Sequence, residues 1–349
     1  MWRIVNSPAR SGVFFVGPPQ GFEWKQLAQD GVQFSPANYQ NNLNKSFLMA
    51  AGNRVDLLVK APVNTGTAPI SVPVIVRQSI NDAESIDPQN NATLLTVLVQ
   101  PGPAIAGPRA TFIPQDKAPT LPPFLADIKA SEVKGTKKIV FESHKPAIAP
   151  PPGTRAPFTE HFIDGKKFDG NIGEVVLLNT VEEWKIENRT AATPPGPINH
   201  PFHIHINPFQ VVEVFNPLET FPDPADPTKQ INRYVIAGGP PPVAGQCVLD
   251  PRNEETWKPC IKGKQSDHIW WDVFPIPSGR VVTGVQATTG QSGGSGTTSV
   301  TIPGYFKMRS RFVDYTGQYV IHCHILAHED RGMMTVVSVV PYKTPYSHH

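Results

Sequence analysis

No run of apolar residues in the 349-residue sequence approaches the roughly 20 needed to cross a bilayer as a helix. No long window sustains a helical period either, which argues against helical bundles and coiled coils. Charged residues make up only 17% of the chain and the net charge is +2, with no polybasic stretch. Neither nucleic acid nor a membrane surface is therefore expected as a partner. The opening Met1-Trp2-Arg3-Ile4-Val5-Asn6 lacks the basic start and apolar run of a signal peptide and reads as the middle of a strand. Cysteine is scarce, with only Cys247, Cys260 and Cys323.

Proline and glycine are abundant, at 39 and 27 residues, close to a fifth of the chain. Helix interiors tolerate neither, so the composition predicts short strands joined by turn-rich loops. Apolar or β-branched runs bounded by turn residues occur at 55–60, 71–77, 94–100, 138–142, 175–179, 183–187, 210–215 and 334–340. The chain is therefore all-β, built of sandwiches or Greek-key barrels. Its length allows two domains. A proline-dense stretch from 101 to 123 reads as an extended linker between them, and a second, 146–157, as a surface loop. The division expected is 1–105, a linker over 106–135, and 136–349. The Gly/Ser-rich segment 288–298 reads as a solvated insertion.

Two histidine clusters stand about 120 residues apart: His200-Pro201-Phe202-His203-Ile204-His205, and His322-Cys323-His324 followed by His328 and Met333. On a strand, His203 and His205 share one face, as do His322 and His324, while Cys323 points to the other. One strand thus separates a thiolate from paired imidazoles. A thiolate, two imidazoles and a distant thioether form the ligand set of a blue-copper centre. The spacing lets one loop fold Cys323, His328 and Met333 around an ion, with His200 brought in from the other cluster. Zinc also takes Cys and His, but seven candidate ligands exceed what a structural zinc uses. If Cys323 binds metal, Cys247 and Cys260 are left either as a disulfide, suited to an exported protein, or as two unrelated thiols.

With these residues, HPFHIH and HCHILAHEDRGMM resemble the two copper motifs of the C-terminal cupredoxin domain in laccase-like multicopper oxidases. The resemblance implies cupredoxin-like Greek-key β-barrels or sandwiches, one complete and one partial. It implies type 1 copper on His200, Cys323, His328 and Met333, type 2 copper on His203, and type 3 copper on His205, His322 and His324. Cys323, His322 and His324 would carry electrons from a phenolic or aromatic-amine donor towards O2, and Glu329 would help deliver protons. Phe162-Ile163-Asp164-Gly165-Lys166-Lys167-Phe168 is similar to the opening of that family's third domain. Trp2–Asn6, Asp30-Gly31 and 52–59 are similar to its second. With only five methionines, the chain has no methionine-rich segment for cuprous ions.

One part of the pattern is absent. The family's cluster of three coppers uses eight histidines, four of them from two His-x-His motifs in the first domain. Here no histidine precedes His144. The expectation is therefore a chain that begins inside the second domain, with a complete type 1 site and half the cluster ligands. A complementary domain or a homodimer would have to supply the rest. The alternative is a copper-binding or electron-transfer module without O2 reduction. The parent protein is expected to be secreted or periplasmic.

Overall fold

Short β-branched runs punctuated by proline and glycine fold into a structure made almost wholly of strands. The computed structural model describes residues 1–8, 12–34, 43–79, 86–103, 121–144, 159–191, 198–251, 253–261, 269–286 and 297–341. Most of the proline-dense stretch 101–123, all of the loop 146–157 and most of the segment 288–298 lie outside these.

The first unit holds β1 (Trp2–Val5), β2 (Val13–Phe15), β3 (Glu23–Gln29), β4 (Val32–Gln33), β5 (Phe47–Met49), β6 (Arg54–Lys60), β7 (Ile70–Ser79) and β8 (Ile86–Val99). They form two four-stranded sheets, ordered β1-β6-β3-β4 and β5-β2-β7-β8. Phe15, Trp24, Met49, Val55, Leu57 and Val74 fill the space between them. As anticipated, the N-terminal residues form a strand, pairing antiparallel with β6.

The second unit begins with β9 (Val133–His144), β10 (Glu160–Ile163), β11 (Ile172–Leu177), β12 (Thr180–Asn188), β13 (His200–Ile204) and β14 (Phe209–Phe215). An excursion follows, with β15 (Thr220–Pro222), β16 (Gln230–Asn232), β17 (Tyr234–Ile236) and β18 (Cys247–Leu249). The chain then returns through β19 (Val273–Ile276), β20 (Arg280–Gln286), β21 (Thr297–Ile302), β22 (Gly304–Phe312), β23 (Gly317–Cys323) and β24 (Met334–Val340). Between the last two lies a single helical turn, α1 (Leu326–Glu329). Two five-stranded sheets result, β10-β9-β12-β22-β14 and β11-β24-β23-β13-β19. Strands β10 to β14 alternate between the sheets, so their connections cross the sandwich.

Alternation explains the packing. In β12 Trp184 and Ile186 point inward, and in β13 Phe202 and Ile204 meet them from the opposite sheet. Each such side chain contributes roughly 1.5–3 kcal/mol on burial. Cys323 and Met333 belong to this same core, fully buried at 0% exposure, so the candidate metal site lies at the edge of dry protein. The excursion has a smaller core of its own around Phe215, Tyr234, Leu249 and Trp257. It is closed by a disulfide between Cys247 and Cys260, which resolves the choice left open by the sequence.

All eight strands expected from sequence fall on observed ones. β8 ends one residue earlier than expected and β11 two residues earlier.

Candidate metal centre

Strands β13 and β23 run antiparallel in the register Phe202↔Cys323, His203↔His322 and Ile204↔Ile321. The pleat sends Phe202 and Cys323 into the core and turns His203 and His322 to the other face. His205 and His324 lie one residue beyond their strands. The chain then turns at α1, where the His328 and Glu329 N–H groups both donate to Ile325 O. Gly332, at φ +100°, supplies the left-handed step that turns the chain back. Met333 follows, with its carbonyl accepting from the Cys323 N–H at 3.1 Å.

On the core side, three buried donor atoms converge. Cys323 Sγ lies 3.5 Å from His200 Nδ1 and 3.6 Å from His328 Nδ1, and the two nitrogens are 3.3 Å apart. Metal bonds of roughly 2.0–2.3 Å require donors about 3.5 Å apart around one ion, so the triangle has the right size. Burial pushes the His200 imidazole down to about 3, which keeps it neutral with a lone pair to give. The Thr190 hydroxyl lies 2.8 Å from His200 Nε2 and engages that nitrogen, which orients the ring with Nδ1 towards Cys323 and His328. The four type 1 residues named from sequence are thus brought together: three as a triangle, and Met333 buried beside Cys323.

On the opposite face, His203, His205 and His322 present one nitrogen each within 4.8 Å of one another. His203 Nδ1–H donates to Asp272 O at 2.8 Å, which frees Nε2. His322 Nδ1 faces Cys323 O at 3.2 Å and Glu329 Oε2 at 3.1 Å, and its Nε2 lies 3.3 Å from His205 Nε2. Burial pushes His203 down to about 4 and His322 to about 3, and raises the Glu329 carboxyl. The His324 ring packs beside this group, its centroid 5.4 Å from that of His203 and 5.7 Å from that of His322.

Although the sequence supplies only half of the cluster's ligands, these four imidazoles do not lie on an open face. His322 is buried, His203 and His324 are half-buried, and only His205 is exposed. The reason is that the first unit packs on this face: a Cβ at Gly52 would lie 2.7 Å from the His324 ring.

The profile of the family described as Multicopper oxidase matches residues 145–343, more than half of the chain. The chain belongs to the multicopper oxidases. The laccase of Bacillus subtilis (strain 168) is 22% identical over 354 residues, covering 98% of this chain and 51% of that protein. Multicopper oxidase LPR1 homolog 5 of Oryza sativa subsp. japonica is 25% identical, over 52% of this chain and 23% of that protein. Among solved structures, a multicopper oxidase from Campylobacter jejuni described as a metallo-oxidase aligns with a TM-score of 0.53 at 17% identity, over 97% of this chain and 52% of its own. McoA from Aquifex aeolicus aligns with 0.54 at 15% identity, over 97% and 54%. These structures share the cupredoxin-like fold. This multicopper oxidase chain spans about half the length of the curated laccases it matches. Copper is the family's cofactor, and the soft thiolate and neutral imidazoles here suit it.

Several residues at the centre escaped the sequence. His161 is buried with its ring stacked on His328 at 3.9 Å, and its Nδ1 lies 2.7 Å from Ser143 Oγ. Thr190 and Asp272, which orient His200 and His203, were also unrecognised. None belongs to a local motif, and only the tertiary structure brings them to the ligands.

Proposed function

We propose that this chain is the electron-accepting portion of a laccase-like multicopper oxidase. The observation that carries this reading is the buried triangle of Cys323 Sγ, His200 Nδ1 and His328 Nδ1, set back to back with His203, His205 and His322. Cys323, His200, His328 and Met333 hold type 1 copper, His203 serves type 2 copper, and His205, His322 and His324 serve type 3. Copper bound at these residues supplies one-electron redox chemistry. The donors are small phenols or aromatic amines, and the terminal acceptor is O2.

The chain's own residues then have separable tasks. Cys323 is covalently joined to both His322 and His324, a direct path between the two faces. The Thr190 hydroxyl orients the His200 ring, and the Asp272 carbonyl, accepting from Nδ1, fixes which nitrogen of His203 is presented. Glu329 lies beside His322 on the cluster face, placed to pass protons, and burial raises its carboxyl above the usual range. Further imidazoles come from a complementary domain or a second copy of the chain. Export of the parent protein to the periplasm or medium is supported by the Cys247–Cys260 disulfide. A second reading, a copper-binding electron-transfer module without O2 reduction, is favoured by the lack of any histidine before His144 to complete the imidazole face.

Copper loading tests the reading. The oxidised protein should show intense blue absorption from the Cys323 thiolate, and Cys323→Ser should abolish it while far-UV circular dichroism is unchanged. A colourless copper-loaded protein would overturn the type 1 assignment. Oxygen uptake with a phenol separates the oxidase from the electron-transfer module.

A further inference from the structure

Asp272 occupies a junction that neither copper motif includes. Its carboxylate is gripped by Arg54 of β6 in a bidentate pair, Nη1–Oδ1 at 2.6 Å and Nη2–Oδ2 at 2.5 Å. Its backbone N–H, with that of Val273, lies 3.3 Å from Asp30 Oδ2. Its carbonyl accepts from His203 Nδ1 at 2.8 Å and from the Ile204 N–H at 3.1 Å. One residue is therefore held on its side chain and its N–H by the first unit, and orients a candidate ligand with its C=O.

The grip is itself braced. Asp30 accepts from the Arg54 N–H at 2.9 Å and from Asn53 Nδ2 at 3.1 Å, and Asn53 Nδ2 also reaches Val273 O at 2.9 Å. Asp30 and Asn53 are almost wholly buried, at 6% and 1% exposure. A planar guanidinium against a carboxylate fixes orientation as well as distance.

We propose that Arg54 and Asp30 of the first unit are positioning residues for His203, acting through Asp272 to hold its imidazole with Nδ1 protonated and Nε2 facing the cluster. This rests on the reading of His203 as a copper ligand. The first unit thus contributes to the cluster without providing a ligand. Partners of this kind change metal affinity about 10- to 100-fold when removed.

The test uses the full chain with 15N-labelled histidine. In the metal-free wild type, long-range 1H–15N spectra should show His203 as a single Nδ1–H tautomer. In Arg54→Gln that signal should shift towards an average of the two tautomers. Asp272→Asn breaks the same pair from the opposite unit and should do likewise, so a folding defect in one variant leaves the other to decide. Arg54→Lys, which keeps charge but loses the bidentate fork, should be intermediate. Titration with Cu(II) alone, followed by electron paramagnetic resonance, should show copper on the imidazole face weakened about 10- to 100-fold in Arg54→Gln. The blue type 1 signal should keep its wild-type intensity. An unchanged His203 tautomer in folded Arg54→Gln and Asp272→Asn would overturn the positioning role. Should the tautomer move while His203→Ala leaves copper binding on that face untouched, the ligand reading of His203 fails and the positioning stands.

Discussion

Two adjacent methionines show how a single step along the backbone divides roles. Met333 is fully buried in the core with Cys323, whereas Met334 lies in β24 in register with His322, on the imidazole side. Met333→Leu should raise the type 1 reduction potential, because losing a weak donor destabilises Cu(II) relative to Cu(I). Redox titration of both variants checks this: a shift in Met334→Leu alone would reverse the assignment. Ile206, just after His205, carries a different kind of constraint. It has φ +67° and is exposed, and the Asn207 N–H donates across it to His205 O at 2.7 Å. A β-branched residue in a tight left-handed turn is strained, at a cost on the order of 1–2 kcal/mol. Ile206→Asn should therefore stabilise the chain by roughly 1 kcal/mol, because asparagine tolerates that conformation. A thermal midpoint that failed to rise would count against the strained turn.

Among the elements, the β13–β23 pair organises both faces. A slip of one residue would exchange Cys323 with its neighbouring histidines and destroy both ligand sets at once, so the register is tied to the hydrophobic pattern. Phe202, Ile204 and Ile321 anchor it in the core. The turn at Gly52, before β6, meets this pair from the first unit. At φ +93°, with the His324 ring 2.7 Å from where a Cβ would stand, it has room only for glycine. Gly52→Ala should cost about 1–3 kcal/mol from backbone strain and displace the His324 ring. A denaturant midpoint with the His324 ring resonances would measure both, and an unperturbed ring would show that this contact does not hold His324.

At the scale of the whole molecule, the two faces differ in completeness. The core face gathers its donors from the second unit alone, whereas the imidazole face has, among the described residues, four histidines of this chain: His203, His205, His322 and His324. Metal analysis should find about one copper held tightly per chain, with further copper bound weakly, because open coordination positions reduce affinity. Oxygen consumption should rise more than proportionally with protein concentration if a second copy completes the site. Four tightly bound coppers per monomer, with turnover independent of concentration, would mean that unrecognised ligands complete the cluster.

The sequence by itself determined the all-β class, the strands with strong apolar alternation, and the side-chain types that meet on each face of the β13–β23 pair. Those features are local: a pleat with a period of two places His322 and Cys323 on opposite faces whatever surrounds them. Strands such as β13, β22 and β23 were not distinguished as apolar runs, because polar residues or metal-type side chains interrupt them. Only the tertiary structure decided which nitrogen each imidazole presents, because Thr190 and Asp272 reach His200 and His203 through packing across β-strands and not through sequence neighbours. It also decided that the imidazole face is partly covered. Gly52 and Arg54 read in sequence as an ordinary turn and strand start. They gain their role because burial of the paired Asp30 and Asn53 locks the first unit against Asp272, a contact spanning more than 200 residues.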